Sequence, residues 1–335
     1  MEEMDEKIGY LRKEMSEKGL DKILMTSPSN LTYITGMNDL SGFLFISEDS
    51  WEILVTKFYR YAFKNVSRAI VFSERKEMMK EVEKRLEEGF VCDRELGLDN
   101  LEDTTDILED MRKVKQHFEI ERIKESCRIN DEVFSKLLKK FKTGMTEWEL
   151  VKAIDSGFRK RNCYNSFDTL VHSNNLIPHR EPEERNITRG DLVIADMGCR
   201  FKNYCSDMTR VLPNDIKGER RKLLEDLLEI QEFALSLIRP DLEVSELCRA
   251  VLEKVEDRGY STENDFLHSL GHGIGVEIHE KPSISTDSDH VLEKGNVFTI
   301  EPGLYVENVG GARIEDIILV DSEGYKVLSK SKKRF

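Results

Sequence analysis

Three strand-like runs in the second half of the chain each carry an acid among apolar residues. They are Leu192-Val-Ile-Ala-Asp196-Met-Gly, Val297-Phe-Thr-Ile-Glu301-Pro-Gly and Arg313-Ile-Glu315-Asp-Ile-Ile-Leu-Val. A carboxylate on a buried strand face is costly unless it is paired, hydrogen-bonded or bound to a metal. The fold must therefore bring these acids to partners. A fourth acid, Asp207 in Tyr204-Cys-Ser-Asp-Met-Thr-Arg, follows Asp196 by 11 residues. A strand–turn–strand of that length can carry both carboxylates to one place.

The stretch from Phe266 to Glu280 adds imidazoles. It places His268, His272 and His279 within 12 residues, out of seven histidines in the chain. Gly271, Gly273 and Gly275 surround His272, so the backbone there can turn tightly and approach another group closely. Histidine is the commonest metal ligand among side chains that titrate near neutrality. Asp196, Asp207, His272, Glu301 and Glu315 together make four carboxylates and one imidazole. That set suits two divalent metals, because carboxylates can bridge two cations. Oxygen-rich ligation with one nitrogen favours Mn, Co, Fe or Zn over a thiolate-loving site. The competing reading of the five residues is a buried ion-pair network with Arg313 and Arg210.

Around these motifs the pattern predicts two domains, 1–112 and 113–335. In the first, Ile8, Leu11 and Met15 share a helical face that Gly19 stops. Short apolar strands follow at Ile23-Leu-Met, Phe43-Leu-Phe-Ile, Ile53-Leu-Val and Ala69-Ile-Val-Phe, with Ser27-Pro-Ser-Asn as a turn and a charged helix from Glu74 to Glu88. This alternation reads as a small α/β domain without catalytic chemistry. In the second domain, one long helix is expected from Met111 to Phe141, ended by Gly144. Thr146 and Glu149 form a capping-box pair that opens the next. Further helices span Gly218 to Ile238 and Ser245 to Arg258. Strands are expected at Phe167–Val171, Leu192–Gly198, Asp207–Leu212, Val297–Glu301 and Ile314–Val320.

The net charge of −14 argues against a nucleic-acid or acidic-membrane partner, because a phosphate backbone attracts Lys and Arg. No apolar run approaches the ~18 residues that a membrane span needs. Six scattered cysteines with no C-x-x-C pair fit free thiols in a reducing compartment. The acidic N-terminus is unlike a signal peptide. These features predict a cytoplasmic protein.

Five segments resemble the pita-bread metallopeptidases, which include methionine aminopeptidase, aminopeptidase P, prolidase and creatinase. They are Leu192-Val-Ile-Ala-Asp-Met-Gly, Asp207-Met-Thr-Arg, His268-Ser-Leu-Gly-His-Gly-Ile-Gly, Glu301-Pro-Gly and Arg313-Ile-Glu-Asp. Gly19-Leu-Asp-Lys-Ile-Leu-Met-Thr-Ser-Pro-Ser-Asn-Leu-Thr-Tyr-Ile-Thr-Gly and Lys113-Val-Lys resemble the N-terminal domain of the prolidase and aminopeptidase P branch. The resemblance implies an α/β (α+β) chain: a creatinase-like domain, then a pita-bread domain with a curved antiparallel sheet flanked by helices. It implies a peptidase that cleaves after a residue preceding proline, acting on Xaa-Pro dipeptides or, as aminopeptidase P, on longer peptides. It also implies two divalent ions per subunit (Mn, Co or Zn) and a homodimer. A non-catalytic binding module of the same fold is the reading from another class, and the complete ligand set argues against it.

The same resemblance implies a role for each matching residue. Asp196 would chelate one metal, Asp207 and Glu315 would bridge the pair, and His272 and Glu301 would complete the other shell. A water activated by the metals would be the nucleophile, and Glu301 would carry its proton to the leaving proline nitrogen. His268 and His279 would bind substrate and stabilise the oxyanion. His179 would stand near the leaving side, and Arg313 would orient Glu315. The loop Val171-His-Ser-Asn-Asn-Leu-Ile-Pro-His179 departs from the family pattern, lacking the glycines that relatives carry there. Outside the motifs, His172 and His290 read as surface or rim, Cys199 and Cys205 as small buried residues, and Lys330 to Arg334 as a solvated tail. Tyr305 reads equally as a pocket wall or an ordinary strand aromatic.

Overall fold

Ile8, Leu11 and Met15 are each exposed by 2% or less on one face of α1 (Glu2–Glu17). The computed structural model describes residues 2–93 and 105–335. The chain divides into two compact units, one ending at Arg112 and the other beginning at Lys113.

The first unit continues through β1 (Lys22–Met25), α2 (Pro28–Thr35), β2 (Gly42–Ser47), β3 (Trp51–Thr56), β4 (Ala69–Phe72), α3 (Arg75–Leu86), β5 (Val91–Cys92) and α4 (Thr105–Lys113). Its sheet runs β4-β3-β2-β1-β5. Central β2 is antiparallel to both its neighbours, β1 and β3, and the edge strands β5 and β4 add in parallel. Leu24, Phe45 and Leu54 of the sheet pack with Met78 and Val82 of α3. Ser27-Pro-Ser-Asn is not a simple turn. Pro28 takes the first position of α2, where its missing N–H costs nothing, and Gly36 ends the helix at φ 70°. The buried Asp93 carboxylate accepts from Thr26 N–H, Ser27 N–H and the Asn30 amide at 2.8–3.3 Å, which anchors the start of α2.

The second unit opens with α5 (His117–Lys140) and α6 (Glu147–Arg159). The single helix expected from Met111 to Phe141 is broken between α4 and α5. Val114 makes a β-bridge to Asn296, Lys115 N–H donates to Gly295 C=O, and Gln116 with Glu119 forms a capping box that restarts the helix. That long-range pairing overrides a helical pattern that is locally continuous. The Thr146–Glu149 capping box forms as expected.

Next come β6 (Tyr164–Asn165), β7 (Leu170–Ser173), β8 (Val193–Met197), β9 (Cys199–Phe201), β10 (Tyr204–Cys205) and β11 (Met208–Val211), then α7 (Gly218–Leu237) and α8 (Val244–Asp257). The unit closes with β12 (Gly271–Gly273), β13 (Glu280–Ile284), β14 (Val297–Ile300), β15 (Gly303–Val306), β16 (Gly310–Arg313), β17 (Asp316–Asp321) and β18 (Gly324–Val327). Its sheets are antiparallel: β10-β9-β6, β11-β8-β7, β13-β12-β14-β17-β18 and β15-β16. Helices α5 and α6 cover one apolar cluster with β7, β8 and β11, and α7 and α8 cover the other with β14, β16 and β17. Antiparallel sheet flanked by helices is the expected architecture. Among the described residues, no helix is long and apolar enough to cross a membrane.

Two further regions differ from the sequence reading. His172 is not a rim residue: it is fully buried in β7. The basic tail is not simply solvated. Ser331 C=O accepts from Arg210 Nε and Nη2 at 3.1 and 3.0 Å, and Lys333 Nζ lies 2.6 Å from buried Asp316.

Candidate metal centre

Strand register assembles the acids. In the β8–β11 pair Asp196 faces Thr209, and Asp207 sits just ahead of β11. Glu315 N–H donates to Thr209 C=O at 3.2 Å, so the next acid along lies beside β11. In the β14–β17 pair Ile300 faces Asp316, which leaves Glu301 and Glu315 across from each other just past the end of the ladder. Glu301 N–H donates to Leu270 C=O, and His272 N–H donates to Thr299 Oγ1 at 3.0 Å, which brings in β12. The five residues thus form one band across neighbouring strands. Asp196 and His272 lie inside strands, β8 and β12, and Asp207 stands just ahead of β11. Glu301 and Glu315 flank strand ends, where the chain can open towards a ligand.

The glycines around His272 are required by packing. A Cβ on Gly271 would lie 2.0 Å from Thr299 O, and one on Gly273 would lie 2.2 Å from Lys281 O. His272 therefore sits on a strand squeezed between two neighbours. Its Nδ1 lies 3.1 Å from Gly273 C=O and serves as donor there, which leaves the Nε2 lone pair facing the acids. That Nε2 is 3.6 Å from Asp207 Oδ2 and 3.4 Å from Glu301 Oε1. Ligand atoms of Asp207, His272 and Glu315 all lie within 4.8 Å of one another.

Asp196 is outside that tight trio. One of its oxygens receives the Arg313 guanidinium. Arg313 reaches Glu315 only indirectly: its Nε donates to Thr209 Oγ1 at 3.1 Å, and Thr209 Oγ1 donates to Glu315 Oε2 at 2.8 Å. Arg210, the other arginine of the competing ion-pair reading, is turned away. It pairs with Asp316 at 2.5 Å and binds the backbone of Glu315, Thr209 and Ser331. Four buried acids thus share one guanidinium, and a buried ion-pair network does not balance. Asp196 Oδ1, Asp207 Oδ1 and Glu315 Oε1 are buried without a hydrogen-bond partner. Orphaned carboxylate oxygens converging on an imidazole lone pair fit divalent cations.

The electrostatics agree. Burial, reinforced by the neighbouring acids, pushes Asp207 and Glu315 well above the usual carboxylate range. Burial takes Glu301 up to about 7, with Arg313 opposing. Burial also lowers His272 and His268 to about 4, so both imidazoles are neutral at pH 7.

The other predicted residues surround this band. His279 packs edge-on against His272, with ring centroids 4.3 Å apart. His268 Nδ1 lies 2.9 Å from Ser269 C=O, and its Nε2 lies 3.3 Å from the Tyr305 hydroxyl. Arg313 Nη1 donates to that hydroxyl at 2.9 Å, which makes a polar chain from Asp196 through Arg313 and Tyr305 to His268. Tyr305 is thus no ordinary strand aromatic. His179 is exposed to solvent, yet partial desolvation, reinforced by the Arg313 charge and opposed by Asp196, lowers its pKa. Sequence reasoning missed Thr209 and Glu280. Thr209 was visible only through register. Glu280 forms a buried ion pair with Lys115 at 3.2 Å directly after His279.

Comparison with known proteins bears on the whole chain. Residues 121–322 match Metallopeptidase family M24, and residues 7–128 match the Creatinase/Prolidase N-terminal domain. The chain belongs to metallopeptidase family M24. It is 31% identical to a Xaa-Pro dipeptidase of Pyrococcus furiosus, over 98% of this chain and 99% of that one. The solved Xaa-Pro dipeptidase from Bacillus anthracis superposes with a TM-score of 0.90 at 30% identity, covering 99% of both chains. The X-Pro aminopeptidase from Thermotoga maritima superposes with a TM-score of 0.88 at 28% identity, covering 98% of both. As an M24 metallopeptidase the protein is a hydrolase that depends on divalent metal, and its fold is the creatinase-like domain followed by the pita-bread domain.

Proposed function

We propose that this M24 peptidase hydrolyses Xaa-Pro dipeptides, using two divalent ions (Mn, Co or Zn) held by Asp196, Asp207, His272, Glu301 and Glu315. The observation that carries this reading is the set of orphaned carboxylate oxygens around His272, in a chain aligned end to end with a Xaa-Pro dipeptidase. Bound divalent cations would neutralise the acids and supply a water able to attack at neutral pH.

This chain's own residues do the rest. Glu301, steadied by Thr299 Oγ1 at 3.2 Å, takes the proton from the attacking water and delivers it to the leaving proline nitrogen. His268, neutral and held by Tyr305, forms part of the substrate wall. His279 donates to the developing oxyanion, a contribution of ~3 kcal/mol in comparable sites. His179 faces the leaving side. Arg313 holds Asp196 and, through Thr209, steadies Glu315.

A second reading, Xaa-Pro aminopeptidase acting on longer peptides, is favoured by the near-equal likeness to the Thermotoga maritima enzyme. Hydrolysis of a Xaa-Pro dipeptide against a Xaa-Pro tripeptide, after reconstitution with Mn or Co, separates the two. Preference for the dipeptide supports the first reading; preference for the tripeptide replaces it with the second. Cleavage of neither overturns both. We further propose a cytoplasmic homodimer, which sedimentation of the purified protein tests.

A further inference from the structure

Glu147 is a fully buried acid that the proposed reaction leaves unused. It is the first residue of α6, yet it does not cap that helix, because the Thr146–Glu149 capping box already does. Its carboxylate is turned to a different segment. Oε1 accepts from Ser173 N–H at 2.8 Å and from the Ser173 hydroxyl at 2.7 Å. Arg180 Nη2 lies 2.9 and 2.8 Å from the two oxygens, and Glu183 N–H donates to Oε2 at 2.8 Å. Ser173 ends β7, Arg180 directly follows His179, and Glu183 comes three residues later. One carboxylate thus fixes the segment before, beside and after His179.

The histidine needs such an anchor. Its ring is exposed and makes no side-chain hydrogen bond among the described residues, so its place is set by the backbone on either side. A second hold acts on the preceding residue. Pro178 C=O accepts from Arg313 Nη1 at 3.2 Å and lies 3.3 Å from Nε2 of buried His172. Arg313 also grips Asp196, so the loop is referenced to the acids. Between these holds Leu176 and Ile177 project into solvent.

We propose that Glu147 is a positioning residue for His179: its buried carboxylate, through Ser173, Arg180 and Glu183, fixes the loop that presents the imidazole to substrate. The inference rests on the peptidase reading given above for His179. A displacement of about 1 Å in a substrate-facing group can cost as much as 100-fold in rate. Glu147→Gln, which keeps the shape and removes the charge, is expected to retain full metal content. Its kcat should fall roughly 10–100-fold with a smaller change in KM. In the zinc-loaded protein, the His179 ring resonances, assigned by their loss in His179→Ala, should shift. In the His179→Ala background, Glu147→Gln should add less than about a threefold further loss, because both changes act through one group.

Unshifted His179 resonances, wild-type kcat, or losses that multiply in the double variant overturn the proposal. Should Glu147→Gln fail to fold, Arg180→Gln carries the same cycle, since it leaves the Ser173 and Glu183 bonds in place. A fully active His179→Ala would refute the role of His179 in the reaction. The ring resonances would still report whether Glu147 positions it, so the two failures are distinct.

Discussion

Asp196, Glu301 and Glu315 stand on or at the ends of hydrogen-bonded strands, whereas His179 and His279 stand on exposed segments between elements. The first group is located by register. Fixing one strand pair places the next acid, because the ladder repeats at a constant spacing. The second group has no ladder. Each exposed histidine lies beside a buried ion pair made with a distant element: Arg180 with Glu147 on α6, and Glu280 with Lys115 ahead of α5. Strand-borne groups are therefore rigid by construction, and loop-borne groups are rigid only while a remote charge holds them.

The largest test of this contrast is at the strand-borne acids. Asp207→Ala removes a member of the tight trio, so bound metal should be lost and hydrolysis should fall by roughly three orders of magnitude or more. A metal-replete, active variant would remove Asp207 from the centre. At a loop-borne residue, His279→Ala should keep its metal and lose roughly 100-fold in kcat. Loss of metal together with rate would erase the distinction between the two groups. Lys115→Met takes the cation from a pair whose side chains are exposed by 1% and 3%; it should destabilise the fold by about 3 kcal/mol, read by denaturant unfolding. A smaller cost would mean that the loop after β12 is held by other contacts.

A gentler probe is pH. Burial raises Glu301 in the folded, metal-free protein from the ordinary 4.5 to about 7. The folded state then binds the proton more tightly than the unfolded one. This stability is fully present below about 4.5 and is lost as pH rises through about 7. The melting temperature of chelator-treated protein should therefore fall across that window, and Glu301→Gln should flatten the slope. An unchanged slope would show that the acids are already compensated without metal. The smallest effect belongs to the tail. Lys333→Ala should cost about 1 kcal/mol or less, because Arg210 still pairs with Asp316.

Much of the architecture was legible in the residues. Helical faces such as Ile8, Leu11 and Met15, the capping pair Thr146 and Glu149, and the apolar strand runs all carry their periods locally. The failures share a cause. Ser27-Pro-Ser-Asn reads as a turn because Pro and Ser serve both turns and helix starts; Asp93, far along the chain, anchors the helix there. The continuous pattern from Met111 to Phe141 gave no sign that Val114 would leave the helix to pair with Asn296. His172, outside the motifs, read as surface or rim, yet it is buried in β7.

The sequence by itself determined the chemical inventory: four acids in apolar or strand-ending positions, a glycine-flanked histidine, and two arginines, Arg210 and Arg313, that could pair with them. Those are properties of residue type and local period, which the chain carries wherever it folds. Only the tertiary structure decided how the inventory is wired. It gave Arg313 to Asp196 rather than to Glu315, turned Arg210 towards Asp316 and the tail, and made Tyr305 the link to His268. It also set Glu147 to hold the loop of a histidine 32 residues away in the sequence. The reason is physical. A buried charge takes whichever partner the packing brings within about 3 Å, and that choice depends on strand register and helix placement rather than on distance along the chain.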